Sequence, residues 1–335
     1  MNNELIIRSS STSVDFALLK DGKLIELHKD EEDNQFSVGD IFIAKIRKTV
    51  SGLNAAFVNV GYEKDAFLHY HDLGPQLPTL LKFVKRVSTG KLKDFSLKNF
   101  PAEKDIDKNG KIADAVKSNQ SILVQVVKEP ISTKGPRISS ELSIAGRFLV
   151  MVPFSDRVSV SQKIASKEEK DRLIRLVKSI KPKGFGVIIR TVAEGKKVAE
   201  LDSDLQNLLS RWTAMCKKLN KANHPSKVLG EMNKASSILR DIFNDTFSSI
   251  VVDDEELYVQ IKDYVHQIAP KKESIVKLHQ NGVPVYEKYG IERQIKTSFG
   301  RTVSMAKGAY IVIEHTEALH VIDVNSGNRS NKEKN

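Results

Sequence analysis

Residues 39–74 read "GDIFIAKIRKTVSGLNAAFVNVGYEKDAFLHYHDLG". The stretch is a succession of short runs rich in β-branched and aromatic residues, cut at Gly39, Gly52, Gly61 and Gly74. Short strands at such even spacing predict a small closed β-barrel of the OB type. Just upstream, "SVDFALLKDGKLIELHKD" (residues 13–30) carries two apolar runs joined at Asp21-Gly22, the strongest short-range signal for a β-hairpin.

Downstream the composition shifts. Residues 75–110 are polar and basic, with Pro75, Pro78 and Pro101 and no clean periodicity. Between Leu81 and Asn99, Lys82, Lys85, Arg86, Lys91, Lys93 and Lys98 stand against one acid, Asp94. We expect a mobile basic insertion in a surface loop, either simply solvated or touching RNA. Strand pattern returns at "SILVQVVKEP" (121–130). "SKEEKDRLIRLVKSIKPKG" (166–184) then opens with a capping box, Ser166 with Glu169, and carries an apolar stripe of Leu173, Leu176, Val177 and Ile180. Pro182 and Gly184 end that helix. A buried strand "GFGVIIRT" (184–191), a second amphipathic helix "DSDLQNLLSRWTAMCKKLNKA" (202–222) and two closing strands in "AYIVIEHTEALHVIDVNSG" (309–327) complete the pattern. The expected class is mixed α/β and α+β, with a β-barrel near the front.

The 335 residues are enough for two or three packed domains. Lys and Arg outnumber Asp and Glu by 53 to 42, a net charge of +11 that favours polyanionic partners. No apolar run approaches bilayer-spanning length, and "MNNELIIRSS" lacks the layout of a signal peptide. The single cysteine, Cys216, makes neither an internal disulfide nor a Cys-x-x-Cys zinc pair. The cytoplasm is the expected compartment.

Four groups of residues could carry chemistry. Phe57 and Phe67 lie on successive strands, with His69, Tyr70 and His71 near a loop mouth. Such rings either stack nucleobases beside lysines such as Lys45 and Lys64, or fill the barrel core. "TKGPR" (133–137) is a Gly-Pro turn flanked by cations Lys134 and Arg137, which suits phosphate contact and equally an ordinary charged turn. Arg190 and Thr191 end an apolar strand, where a guanidinium fork and a hydroxyl can converge on a terminal phosphate. Upstream, Gly146 permits close backbone approach and Val150 offers a main-chain N–H. In "HVIDVNSG" (320–327), Asp323 and Asn325 are two apart on a strand, so both face one side and can address one hard cation, with Glu317 in the preceding turn as support.

Together these pieces resemble the N-terminal part of the bacterial ribonuclease E/G family. The match rests on "GDIFIAKI…GLNAAFVNVGYEKDAFLH", "TKGPRIS", "SIAGRFLVMVP", "VSVSQKI", "IIRTVAEG", "ILRDIF", "VPVYEKYGIERQI" and "IEHTEALHVIDVNSG". The resemblance implies an RNase H-like subdomain split between residues 1–37 and 237–298. An S1 RNA-binding barrel would span 38–140, a 5′-sensor region 141–236, and a DNase I-like catalytic subdomain would begin at 299. It implies RNA contacts at Phe57, Phe67 and Lys134, and a 5′-monophosphate pocket of Gly146, Val150, Arg190 and Thr191. Asp323 would bind catalytic Mg²⁺, and Asn325 would help to orient the attack.

The implied activity is Mg²⁺-dependent endonucleolytic hydrolysis of single-stranded RNA, with preference for a 5′-monophosphate end, in rRNA and mRNA processing. The alternative is an RNA-binding chain that recognises 5′-monophosphorylated RNA without cutting it. Family members form homo-oligomers and carry a second catalytic aspartate in a later apolar segment, then a Cys-Pro-x-Cys zinc link. Neither pattern occurs in this sequence, which leaves Zn²⁺ without its expected ligands.

Overall fold

Asp21 and Gly22 both take positive φ, 49° and 77°, the geometry that matches a two-residue turn to the twist of a hairpin. In the computed structural model this turn joins β2 (Ser13–Lys20) to β3 (Lys23–Glu31), and β1 (Asn3–Ser9) pairs antiparallel with β2. The structure describes residues 2–31, 36–131, 133–230, 234–244, 246–280, 282–305 and 308–327. It divides into one unit of residues 1–33 with 243–335 and another of residues 34–242.

In the second unit the expected barrel is present. β4 (Ile41–Val50), β5 (Ala55–Asn59), β6 (Ala66–His69), β7 (Ser121–Lys128) and β8 (Arg137–Ser139) are ordered β4-β5-β6-β8-β7, and the β4–β7 pairing closes the ring. Strand alternation fills the interior with Phe42, Ala44, Ile46, Ala56, Val58, Ala66 and Leu68.

The segment 75–110 corrects the sequence expectation. Residues Leu77–Ser88 form helix α1, which buries Leu77, Leu80, Phe83, Val84 and Val87. Its prolines misled: Pro78 sits in the first turn, where a missing N–H is harmless. The basic residues Lys82, Lys85 and Arg86 occupy the opposite side of a 3.6-residue period. A strap follows in which Leu97 is buried and the Phe95 carbonyl accepts the Trp212 indole N–H at 2.9 Å. A short α2 (Ile112–Ala115) leads back into β7.

A four-stranded sheet comes next, β9 (Ile144–Ala145), β10 (Leu149–Pro153), β11 (Val158–Val160) and β12 (Phe185–Ile189), in the order β11-β12-β10-β9. Helices α3 (Lys167–Ile180) and α4 (Val198–Leu219) pack on it. On α4, Leu201, Leu205, Leu208, Trp212, Met215, Cys216 and Leu219 make one buried stripe. Phe83 of α1 lies 5.4 Å from Trp212, so one apolar core ties α1, α4 and the sheet to the barrel strands. The α3 start is half of the expected box: Ser166 Oγ accepts the Glu169 N–H at 3.2 Å, but the Glu169 carboxylate turns to Arg172 and the Gly195 N–H. β13 (Ser226–Leu229) adds to the first half of β4, and α5 (Lys234–Ile242) ends the unit.

The first unit resumes with β14 (Phe247–Val252), α6 (Glu255–Ile268) and β15 (Val276–Leu278), which complete a sheet β15-β14-β1-β2-β3. The first and last thirds of the chain thus share a sheet, with β1, β14 and β15 parallel. Asp254 caps α6 by accepting the Leu257 N–H at 2.8 Å. Helices α7 (Val285–Lys288) and α8 (Ile291–Ser298) cover the sheet through Val285, Tyr286 and Ile291. An antiparallel sheet β16 (Thr302–Ser304), β17 (Tyr310–His315) and β18 (His320–Asn325) follows. Among the described residues no helix is long and apolar enough to cross a membrane.

Candidate functional site

Pleating decides where the barrel phenylalanines point. Ala56, Val58, Ala66 and Leu68 take the inward positions of β5 and β6, so Phe57 and Phe67 project from the outer face, half-buried. The core-filling alternative is therefore excluded. The two are cross-strand partners with ring centroids 5.9 Å apart, edge to face. Lys48 Nζ sits 5.3 Å from the Phe57 centroid, a cation–π contact.

The rings floor a groove of about 630 Å³ whose lining includes Lys48, Lys64, Lys128, Lys134 and Arg137 against two acids, Asp65 and Glu129. Lys134 reaches it on a tight turn, bridged to Ile131. Gly135 is required there, because a Cβ would stand 2.3 Å from the Asp65 carbonyl oxygen. The adjacent Pro136 carbonyl accepts the Phe67 N–H at 2.9 Å, which ties the turn to the strand carrying the ring. The face joins apolar rings to surplus positive charge, the combination that takes an extended polyanion with planar groups.

A second constellation surrounds Arg190, at the end of β12. Its Nη1 donates to the Gly146 carbonyl at 2.9 Å, its Nη2 donates to Asp241 Oδ1 at 2.7 Å, and its side chain remains 23% exposed. Thr191 Oγ1 lies 2.9 Å from Ser161 Oγ. Gly146 fits tightly against α4: a Cβ would stand 2.6 Å from Asp204 Oδ2. The Asp204 carboxylate accepts three successive main-chain N–H groups, from Arg147, Phe148 and Leu149, at 3.0, 2.8 and 2.9 Å. Val150 stands opposite Ala145 on one side and Ile188 on the other, so its main-chain groups belong to a middle strand.

Sequence reasoning missed four partners here. Arg240, 7% exposed, shares Asp241 Oδ1 with Arg190 at 3.0 Å, and Arg211 donates to the Ala145 carbonyl at 2.9 Å. Asp241 and Asp204 complete the set. The Arg-Asp pair is visible in "ILRDIF", but nothing local aims it at Arg190, which lies 51 residues away in sequence.

Asp323 and Asn325 stand in the other unit. Asp323 pairs across β17–β18 with Val312, and both its neighbours and Asp323 itself are exposed. Asn325 Nδ2 donates to Asp323 Oδ2 at 2.9 Å. The amide thus presents its nitrogen to the Asp323 carboxylate. Among the described residues no group of three or more His, Cys, Asp or Glu side chains converges on a metal position. Cys216 does not fit a zinc link, since burial pushes its thiol pKa up and withholds the thiolate.

A sequence profile of the Ribonuclease E/G family matches residues 143–335. The chain is 32% identical over 324 residues to Ribonuclease G of Haemophilus influenzae, covering 97% of this chain and 62% of that protein. It is 30% identical over 327 residues to Ribonuclease G of Escherichia coli strain K12, covering 98% and 63%. Ribonuclease E of a Nostoc species is 32% identical over 294 residues, which is 87% of this chain and 39% of that protein. The chain spans under two thirds of the length of these curated relatives.

Proposed function

Because the chain belongs to the ribonuclease E/G family, we propose that it binds single-stranded RNA on the barrel face and senses a 5′-monophosphate at Arg190. In this reading Phe57 and Phe67 stack bases, while Lys48 and Lys134 meet the backbone phosphates. Arg190 and Thr191 take the terminal phosphate, with Gly146 fixing the guanidinium by its carbonyl. The barrel is then an S1 domain, the sheet under Arg190 a 5′-sensor region, and the sheet shared by the chain ends an RNase H-like subdomain. Residues from 299 contribute to a DNase I-like catalytic subdomain. The proposed reaction is endonucleolytic phosphodiester hydrolysis.

Asp323 fits Mg²⁺ as one carboxylate ligand, because that ion retains several waters and takes few protein oxygens. When bound, Mg²⁺ activates a water and neutralises charge on the scissile phosphate. Asn325 holds the Asp323 carboxylate in place by its Nδ2 hydrogen bond. The observation that carries the proposal is the outward pair Phe57–Phe67 beside five cations on one groove.

The test compares 5′-monophosphorylated and 5′-hydroxyl A/U-rich oligonucleotides with Mg²⁺, following both binding and cleavage. Arg190→Ala should erase the preference for the phosphorylated end, and Asp323→Asn should abolish cutting. Equal binding of the two ends by the unaltered chain would refute the sensor reading. A second reading is an RNA-binding chain that recognises 5′-monophosphorylated RNA without cutting it. Retained end preference with no cleavage would establish it.

A further inference from the structure

The hairpin that carries Asp323 has a second set of ligand atoms at its tip. Thr316 and Leu319 close a two-residue turn: the Thr316 N–H donates to the Leu319 carbonyl at 2.9 Å, and the Thr316 Oγ1 accepts the Leu319 N–H at 3.0 Å. Next to that closure, His315 of β17 and His320 of β18 face each other as a non-hydrogen-bonded pair, the position where cross-strand side chains approach most closely. Their rings stand edge to face with centroids 4.5 Å apart, and the two Nδ1 atoms are 2.5 Å apart. Both rings are exposed, and neither has another hydrogen-bond or ion-pair partner among the described residues. Other histidines are committed: His28 to Glu26, His266 to Glu273, His279 to the Val283 carbonyl, and His69 Nδ1 to the His71 N–H.

Two bare imidazole lone pairs repel at that distance, so something must sit between them: a shared proton in the free protein, or a metal ion in its place. We propose that His315 and His320 hold a borderline divalent transition-metal ion, Cu²⁺, Ni²⁺ or Zn²⁺, through the Nδ1 of each ring. Imidazole nitrogen suits these ions, whereas Mg²⁺ takes oxygen ligands, so the site is distinct from the one proposed at Asp323. Pleating separates the two as well, because His320 and Ile322 face one side of β18 and Asp323 the other. Two nitrogens about 2.1 Å from one ion, at a right or tetrahedral angle, stand about 3.0–3.4 Å apart, so the rings need open by less than about 1 Å. Side-chain rotation supplies that while the turn hydrogen bonds keep the strands in place. The proton shared by the free pair passes through solvent to the outer Nε2 of the ring that held it, both rings stay neutral, and water fills the remaining positions.

The test is calorimetric titration of the whole chain with Cu²⁺, Ni²⁺ and Zn²⁺ in excess Mg²⁺. The strongest site should take one ion per chain, with Cu²⁺ bound more tightly than Ni²⁺ or Zn²⁺. His315→Ala and His320→Ala should each weaken it about tenfold or more, since losing even an outer-shell partner of a metal ligand costs about that much. Asp323→Asn should leave the affinity for these ions unchanged, and so should His71→Ala, which breaks the other close pair of imidazoles. Circular dichroism checks that each variant is folded. A second measurement needs no variant: Ni²⁺ is paramagnetic, and at low occupancy it should broaden the backbone amide resonances of residues 314–321 before any others.

Unchanged affinity in His315→Ala and His320→Ala, or broadening that begins elsewhere in the chain, would overturn the site. Loss of binding in Asp323→Asn would put the ion at the carboxylate, and loss in His71→Ala would put it at the barrel, and either outcome overturns it too. None of these readouts involves RNA, so failure here leaves the proposed RNA face standing, and failure of that face leaves the metal site standing.

Discussion

Asp204 gives the most exposed test of how the Arg190 pocket is built. One carboxylate satisfies three consecutive N–H groups, and the same loop supplies the Gly146 carbonyl that fixes Arg190 Nη1. Asp204→Ala leaves three donors without protein acceptors. Since the site is half-buried and water reaches part of it, a loss of about 1 kcal/mol per donor gives ~3 kcal/mol in total. Asp204→Asn keeps one oxygen but turns an N–H₂ toward a donor, so ~1–2 kcal/mol is expected. Denaturant unfolding with circular dichroism measures both.

The functional consequence is separate. If Arg190 takes the 5′-phosphate as proposed, a loosened loop would release the Gly146 carbonyl, and losing one charge-assisted hydrogen bond of ~1.5 kcal/mol would cost about tenfold in preference for a 5′-phosphate. Oligonucleotide pairs differing only at the 5′ end report it. An unchanged unfolding midpoint for Asp204→Ala would refute the stability reasoning. Full destabilisation with intact end preference would sever the link from Asp204 to Arg190.

Two further outcomes follow from the same contacts. Asp241 occupies one guanidinium edge of both Arg190 and Arg240, so Asp241→Asn should tighten binding of 5′-monophosphorylated RNA several-fold, read by titration; weaker binding would show that Asp241 orients Arg190 instead. Glu169 is held at a pKa of about 2, below its ordinary 4.5, by Arg172 and then by the Gly195 N–H. Its folded value is depressed, so its contribution is present above about pH 4.5 and lost as pH falls toward 2. Acid titration of Glu169→Gln should show a shallower fall in stability over that window, and a profile identical to the unaltered chain would contradict it.

Local chemistry made much of the architecture legible. Asp21-Gly22 can adopt two positive φ angles in succession, which sets a hairpin without help from the rest of the chain. Period-two patterning wrote the barrel strands, and the stripe on α4 wrote its buried face. The order of segment 75–110 is hidden from local patterning, because a proline in a helix first turn, as Pro78 is, looks the same in sequence as a proline in a loop. Its order comes from Phe83 and Trp212, partners 129 residues apart in contact at 5.4 Å.

The sequence by itself determined the residue types and their spacing: a strand carrying Phe57, another carrying Phe67 and His69, a strand ending in Arg190, and a carboxylate two residues from an amide. Those follow from pleat and turn preferences that act over a few residues. Tertiary structure alone decided which way the rings face, which carboxylate gathers the 147–149 amides, and which acid meets Arg190. Each of these depends on closing a long loop to bring distant groups together, and the energy that selects the partner exists only once the core has formed.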